Sequence, residues 1–331
     1  MPPVGLHNRD SAYFYKANGP RNLITDQSVC RHTYQLHISN TKEPCVKAKT
    51  NTSVEMANKV AVVTGSNKGV GFAIVRALCK NFKGDVILTA RNPELGHAAV
   101  QELEKEGLHP KFHQLDISDH ASVTALRDFL QNTYQGIDVL VNNAGIAYKA
   151  ASTAPFSEQA EVTLKTNYFS TLDLCETLFP LLRPHARVSN VSSMVSQFAL
   201  AKCSDALKAR FVSTDITMDE LTGIMKKFVQ SAQNGTHQAE GFPESSYGMS
   251  KVGVTVMSMI QQREMDKKGA DDIVINACCP GYVDTDMTSH KGKLTIDQGA
   301  ETPAYLALLP PGVKEPRGQF VRELKVADWK M

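Results

Sequence analysis

From residue 59 onward, short apolar runs rich in β-branched residues alternate with longer helix-like segments, and that alternation leaves few folds open. The runs are KVAVVT, DVILTA, KFHQLDI, DVLVNNA, RVSNVS and DIVINACC. AIVRALCKNF follows the first, PELGHAAVQELEKEG the second and ASVTALRDFLQNTY the third. Strands that are apolar almost throughout are buried on both faces, and parallel neighbours need a crossover, usually a helix. The expected fold is therefore α/β, a doubly wound parallel sheet covered on both faces. GQFVREL, residues 318–324, is a candidate edge strand.

Residues 195–243 break the alternation. Thr217-Met218-Asp219-Glu220 reads as a capping box. Leu221, Ile224, Met225, Phe228 and Val229 then recur at helical spacing on one face. This stretch is read as a helical insertion within a single domain spanning 56–331. Residues 1–55 show no periodicity, are rich in Asn, Thr, Ser and His, and carry seven Lys/Arg against four Asp/Glu. They are expected to form a disordered extension. Met56, directly before the first strand, is a candidate start of a shorter product.

Charge and composition narrow the function. The remaining residues hold 29 Lys/Arg and 30 Asp/Glu, which argues against a nucleic-acid binder. No apolar run approaches the roughly 20 residues that span a bilayer, and no basic segment followed by an apolar core marks a secretory signal. The seven cysteines include no CxxC pair, and the ten histidines no HExxH. No metal site is expected, and a reducing cytoplasm suits the thiols. The sequons at Asn51, Asn190 and Asn234 are read as chance matches.

TGSNKGVG, residues 64–71, follows the first strand and opens a helix. Glycines let a backbone approach a pyrophosphate, and a helix N-terminus offers free N–H groups to it. The spacing, G-x-x-x-G-x-G, departs from the G-x-G-x-x-G of standard dinucleotide enzymes, and a ligand-free tight turn is the competing reading. The second strand ends in Thr89-Ala90-Arg91, where an NAD site usually carries an acid. Lys68 and Arg91 together suit a ribose 2′-phosphate and favour NADPH over NADH. Each could also be an ordinary solvated cation.

SSYGMSK, residues 245–251, sets Tyr247 and Lys251 four apart, on one face if helical. Reducing a ketone needs a proton for the oxygen, and tyrosine's pKa of about 10 is high for that work. A nearby ammonium is expected to lower it. Ser192-Ser193 end one strand, where a hydroxyl can hold a carbonyl oxygen. Asn142-Asn143-Ala144-Gly145 end the preceding one. Asn167, in LKTNYFS, is either buried with partners or exposed to solvent.

Taken together and in this order, TGSNKGVG, NNAG, Asn167, Ser193, Tyr247 with Lys251, and Pro280-Gly281 resemble the short-chain dehydrogenase/reductase family, over residues 59 to about 325. HQLDI at 113–117, NACCPGYVDTDM at 276–287 and ETPAYLALLPP are similar to its monomeric carbonyl reductases. The resemblance implies a Rossmann-type domain that reduces aldehydes, ketones or quinones with NADPH. It makes Tyr247 the general acid, with Lys251 lowering its pKa and bonding the nicotinamide ribose. Ser193 would orient the carbonyl and Asn167 hold a relay water. Gly65, Asn67, Lys68, Gly69, Val70 and Gly71 would line the cofactor turn, with Arg91 on the 2′-phosphate. Asp116 and Ile117 would sit by the adenine, Asn143 near the adenosine ribose, and Val283, Asp284 and Thr285 by the carboxamide and phosphates.

Glutathione or its conjugates would lie near Tyr148, Lys149, Ala150 and Gln159. Asp284 departs from a position that is usually basic. The insertion resembles the segment that covers the surface by which other members oligomerise, so a monomer is expected. A hydroxysteroid dehydrogenase, a prostaglandin ketone reductase and a non-catalytic cofactor sensor or scaffold are the alternatives. The intact Ser193, Tyr247 and Lys251 set argues against the last. Cys278 and Cys279 are small buried residues, one of which could edge the site and react with electrophiles.

Overall fold

The computed structural model describes residues 58–149, 151–270 and 272–330. The extension 1–55, Met56 and Ala150 lie outside the described residues. Eight strands form one sheet: β1 (Val60–Val63), β2 (Asp85–Ala90), β3 (Lys111–Gln114), β4 (Ile137–Asn142), β5 (Leu182–Val191), β6 (Val274–Cys279), β7 (Phe320–Arg322) and β8 (Lys325–Val326). Their spatial order is β3-β2-β1-β4-β5-β6-β7-β8. All neighbours run parallel except β7 and β8.

The six expected runs all form strands. GQFVREL does too, but it is not the edge: Glu323 and Leu324, both at positive φ, turn the chain back into the two-residue β8. The order reverses at β1, whose neighbours are β2 on one side and β4 on the other. Crevices at the carboxyl ends of strands beside such a switch point are where open α/β sheets bind ligands.

Strand side chains alternate between two cores. Ala61, Val63, Leu88 and Cys278 pack with α1 (Gly69–Asn81), α2 (Pro93–Lys105) and α10 (Ile296–Ala307). Val60, Val62, Ile87 and Ile275 pack with α3 (His120–Tyr134) and α5 (Ser170–Leu178) on the opposite face. That second face continues into a third cluster, in which Ala277, Cys279 and Phe320 meet α4 (Phe156–Leu164), α6 (Val195–Ala201), α8 (Met218–Asn234) and α9 (Ser246–Lys267).

The insertion comprises α6, α7 (Asp205–Phe211) and α8. In α8, Leu221, Met225 and Phe228 are buried while Ile224 and Val229 flank them, as the apolar spacing predicts. Only half of the capping box forms. Thr217 Oγ1 accepts from Glu220 N at 3.2 Å, but the Glu220 carboxylate is held by Arg210 instead of turning back. Helix α8 lies against α4 and α9, and with α4, α6 and β6 also packed on α9, that helix is buried on nearly every side. Asn190 is fully buried in β5 and its sequon is unreachable.

Candidate active site

The turn after β1 owes its shape to residues that tolerate unusual backbone or unusually close contact. Gly65 and Gly69 have φ of +59° and +61°, where a Cβ is disfavoured. Gly71 faces a different constraint: a Cβ there would fall 2.4 Å from Asn143 Nδ2. That amide is already engaged, donating to the carbonyls of Thr64 at 3.0 Å and Gly65 at 2.9 Å. Thr64 Oγ1 in turn accepts from the amides of Asn143 and Ala144 at 3.0 and 2.9 Å. Asn143 thus braces the turn from the neighbouring strand. Lys68, the N-cap of α1, makes no side-chain cap, so the first-turn amides of α1 have no capping side chain.

These elements open a cleft of about 480 Å³ across the carboxyl ends of the sheet. Of the expected cofactor residues, Gly65, Asn67, Lys68, Gly69, Val70, Gly71, Arg91, Asp116, Ile117, Asn143, Tyr247, Lys251, Asp284 and Thr285 line it. Val283 does not. It is buried beneath the wall, its side chain against Gly299. Arg91 and Lys68 are exposed, and Lys68 Nζ reaches Asp286 at 2.6 Å. Asp116 is held by Ser118: burial raises its pKa, but the Ser118 hydroxyl and amide and the charges of Arg91 and Lys165 outweigh that and hold it below the usual range.

Asp284, the residue out of pattern, pairs with His290 at 2.8 Å. The other ring nitrogen of His290 meets Asp286 at 3.1 Å. These two acids raise the His290 pKa. Asp286 and His290 escaped the sequence reading because nothing in their spacing distinguishes them from solvated loop residues.

Helix α9 carries the second half of the site. Ser245 caps it, accepting from Gly248 N at 3.1 Å, so Tyr247 and Lys251 stand on its first two turns. Tyr247 is half-buried, and burial pushes its phenol up to about 12, with the Ser193 hydroxyl opposing the rise. The sequence expectation was a pKa lowered by Lys251. In this chain Lys251 Nζ lies 5.7 Å from the ring centroid and donates to Val191 O at 2.7 Å. Burial brings Lys251 itself down to about 8. Ser193, half-buried at the start of the α6 segment, faces Tyr247 but lies outside the lining of the large cleft.

Asn167 is buried, which removes the solvent-exposed reading. It sits in a single π-helical turn, Lys165–Phe169, between α4 and α5. Such turns often mark functional positions. Its Oδ1 accepts from Ile146 N at 2.8 Å, and its Nδ2 donates to Ile146 O at 2.9 Å and Ser250 Oγ at 3.0 Å. A Cβ on Gly145 would lie 3.1 Å from Asn167 Oδ1 and 3.7 Å from Lys251 Nζ. The glycine therefore leaves the space between those two groups open. Ser250, which sequence reading missed, donates to Tyr247 O at 2.8 Å and couples Asn167 to the first turn of α9.

Tyr148 and Lys149 line a separate depression of about 460 Å³. Tyr148 donates to Glu158 at 3.0 Å. Gln159 does not line that depression, and its amide is tied to Ala154 O at 2.8 Å. Cys278 is fully buried and burial pushes its thiol up to about 12, away from thiolate chemistry. Cys279 Sγ accepts from the amides of Met194 and Gly281 at 3.2 and 3.3 Å.

Carbonyl reductase [NADPH] 1 of Bos taurus is 56% identical over 274 residues, 82% of this chain and 99% of that protein. The human carbonyl reductase [NADPH] 1 is 56% identical over 271 residues, 82% and 98%. Among solved structures, salutaridine reductase from Papaver somniferum superposes with a TM-score of 0.71 at 28% identity, covering 79% of this chain and 99% of that one. Menthone neomenthol reductase from Mentha piperita gives 0.67 at 30%, covering 80% and 98%. The short chain dehydrogenase family model matches residues 59–205 and 228–294. With the glycine turn, the α9 pair and the sheet order already in agreement, the chain belongs to the short-chain dehydrogenase family.

Proposed function

We propose that the protein reduces carbonyl compounds to alcohols with NADPH. The observation that carries this reading is one continuous cleft that joins the glycine turn to Tyr247 and Lys251. Its residues fit the cofactor: glycines at positive φ and α1 amides without a capping side chain suit a pyrophosphate, and the exposed cations Lys68 and Arg91 on the cleft wall suit a 2′-phosphate. The relatives named as NADPH carbonyl reductases support the same choice. Held there, NADPH would supply the hydride for the carbonyl carbon. Tyr247, protonated across the physiological range, gives its proton to the carbonyl oxygen. Ser193 hydrogen-bonds the same oxygen as charge builds on it. Lys251 sets its ammonium behind the phenol and offsets the phenolate as it forms. Asn167 braces Ile146 and Ser250 and so keeps the Gly145 passage beside Lys251 in place.

Tyr247→Phe tests this directly. Turnover of a panel of quinones, steroid ketones and prostaglandins should fall by roughly 10³-fold while NADPH still binds. Unchanged turnover refutes the mechanism, and the panel separates a general reductase from a steroid or prostaglandin enzyme. The glutathione subsite beside Tyr148 and Lys149 is part of the same proposal.

The protein works as a monomer in this reading, because α8 covers α4 and α9, the helices the other family members are expected to pair through. Light scattering should return about 36.2 kDa, and twice that value would overturn it. Cytoplasmic residence is supported by the unpaired thiols of Cys175, Cys203, Cys278 and Cys279.

A further inference from the structure

We propose that Arg322 makes this enzyme selective for carbonyl substrates that carry a carboxylate. The inference rests on the reductase reading above and names a substrate class for the same site.

Strand β7 runs parallel beside β6, with Arg322 in register with Cys279. Side chains alternate across a sheet, so register partners face the same side. Phe320 and Cys279 belong to the cluster under α6 and α9, whereas Val321 and Cys278 belong to the core on the opposite face. Arg322 therefore projects on the face that carries Tyr247 and Ser193. Its Nη1 lies 2.7 Å from Met194 Sδ, and Met194 directly follows Ser193. The Met194 amide also donates to Cys279 Sγ at 3.2 Å, which ties these residues into one corner.

The partners of this guanidinium are poor. A thioether is a weak acceptor for a group with five N–H donors. Among the described residues, the carboxylate in reach is that of Glu323, 3.3 Å from Nε and 80% exposed, and such a pair holds little energy. Lys325, opposite Arg322 across the β7–β8 turn, adds a second positive charge. Arg322 is about one-third exposed, so it is open to a ligand and still partly shielded from water. An incoming carboxylate can take the fork in bidentate fashion, a geometry neither Met194 nor water supplies.

The test compares kcat/KM for 4-carboxybenzaldehyde and 4-methylbenzaldehyde with NADPH. Their ratio does not depend on the fraction of active enzyme, so partial misfolding of a variant does not distort it. Arg322→Leu should lower the ratio by roughly 10-fold or more, the worth of a hydrogen bond to a charged group. Arg322→Lys should lose less than Arg322→Leu, since it keeps the charge but not the fork. Arg322→Glu should push the ratio below that of Arg322→Leu. A ratio unchanged in Arg322→Leu and Arg322→Glu overturns the proposal. If the wild-type protein oxidises NADPH with neither aldehyde, the reductase reading itself fails, and that outcome is distinct from an unchanged ratio.

Discussion

Lys251→Met should make the protein more stable and less active at once. Lys251 is 5% exposed, and burial takes its ammonium from the ordinary 10.5 to about 8. At 1.36 kcal/mol per pH unit, holding that charge costs the fold about 3 kcal/mol. Below pH 8 both the folded and unfolded chains carry the proton, and the whole cost is present. Between 8 and 10.5 the unfolded chain binds a proton that the folded one has lost, so stability climbs with pH. Above 10.5 the cost is gone. Methionine keeps the length of the side chain and removes the charge, but it leaves Val191 O without its donor at 2.7 Å, a loss of about 1 kcal/mol. The expected net gain at pH 7 is about 2 kcal/mol, and above pH 10.5 the variant should be slightly the weaker of the two. Urea denaturation at both pH values measures it, alongside turnover, which should fall by roughly 10²-fold. A variant destabilised equally at both pH values would refute the account of Lys251 as a charge held at the expense of the fold.

Two further outcomes follow from the charges around the cleft and sheet. Lys68→Ala combined with Arg91→Ala should weaken NADPH binding by roughly 10-fold or more with little effect on NADH, and equal losses for the two cofactors in titration calorimetry would remove the 2′-phosphate argument. Asp272 is tied to Gly312 N at 2.7 Å, His185 at 2.8 Å and the buried Arg187 at 3.0 Å. Burial raises its pKa, but these partners prevail and bring it to about 2. Its stabilisation, about 2 kcal/mol, is therefore complete above about pH 4 and is lost as the pH falls toward 2. Asp272→Asn should cost at least that much at pH 7 and show no such loss between pH 4 and 2, and an acid-unfolding curve parallel to the wild type would count against it.

The sheet was legible because its strands are apolar on both faces, a pattern that only burial between two helix layers explains. The short end of the chain was not: β8 is two exposed residues, and only the left-handed turn at Glu323 and Leu324 reveals it. Tyr247, Lys251 and Ser193 were legible by residue type and spacing. Their protonation was not, because the Tyr247 phenol responds to how deeply α9 is buried, and that depth is set by tertiary packing against α4, α6, α8 and β6. Asn167 shows the same limit. Its residue type signalled a need for partners, but the partners, Ile146 and Ser250, come from a strand-end loop and another helix. Asp286 and His290 act on Lys68 across 218 and 222 positions of chain or through each other, a relation no local pattern encodes.

The burial of α9 also explains why the insertion matters for chemistry as well as for shape. An exposed α9 would solvate Lys251, return it toward 10.5 and bring the Tyr247 phenol back toward 10. Covered by α4, α6 and α8, the same two side chains sit at about 8 and about 12. A lysine that releases its proton more easily and a tyrosine that binds it more tightly favour movement from the first toward the second. In the proposed mechanism, that is the direction that would restore the phenol after each reduction. The helices that cover α9 thus shift both side chains that the proposed mechanism uses.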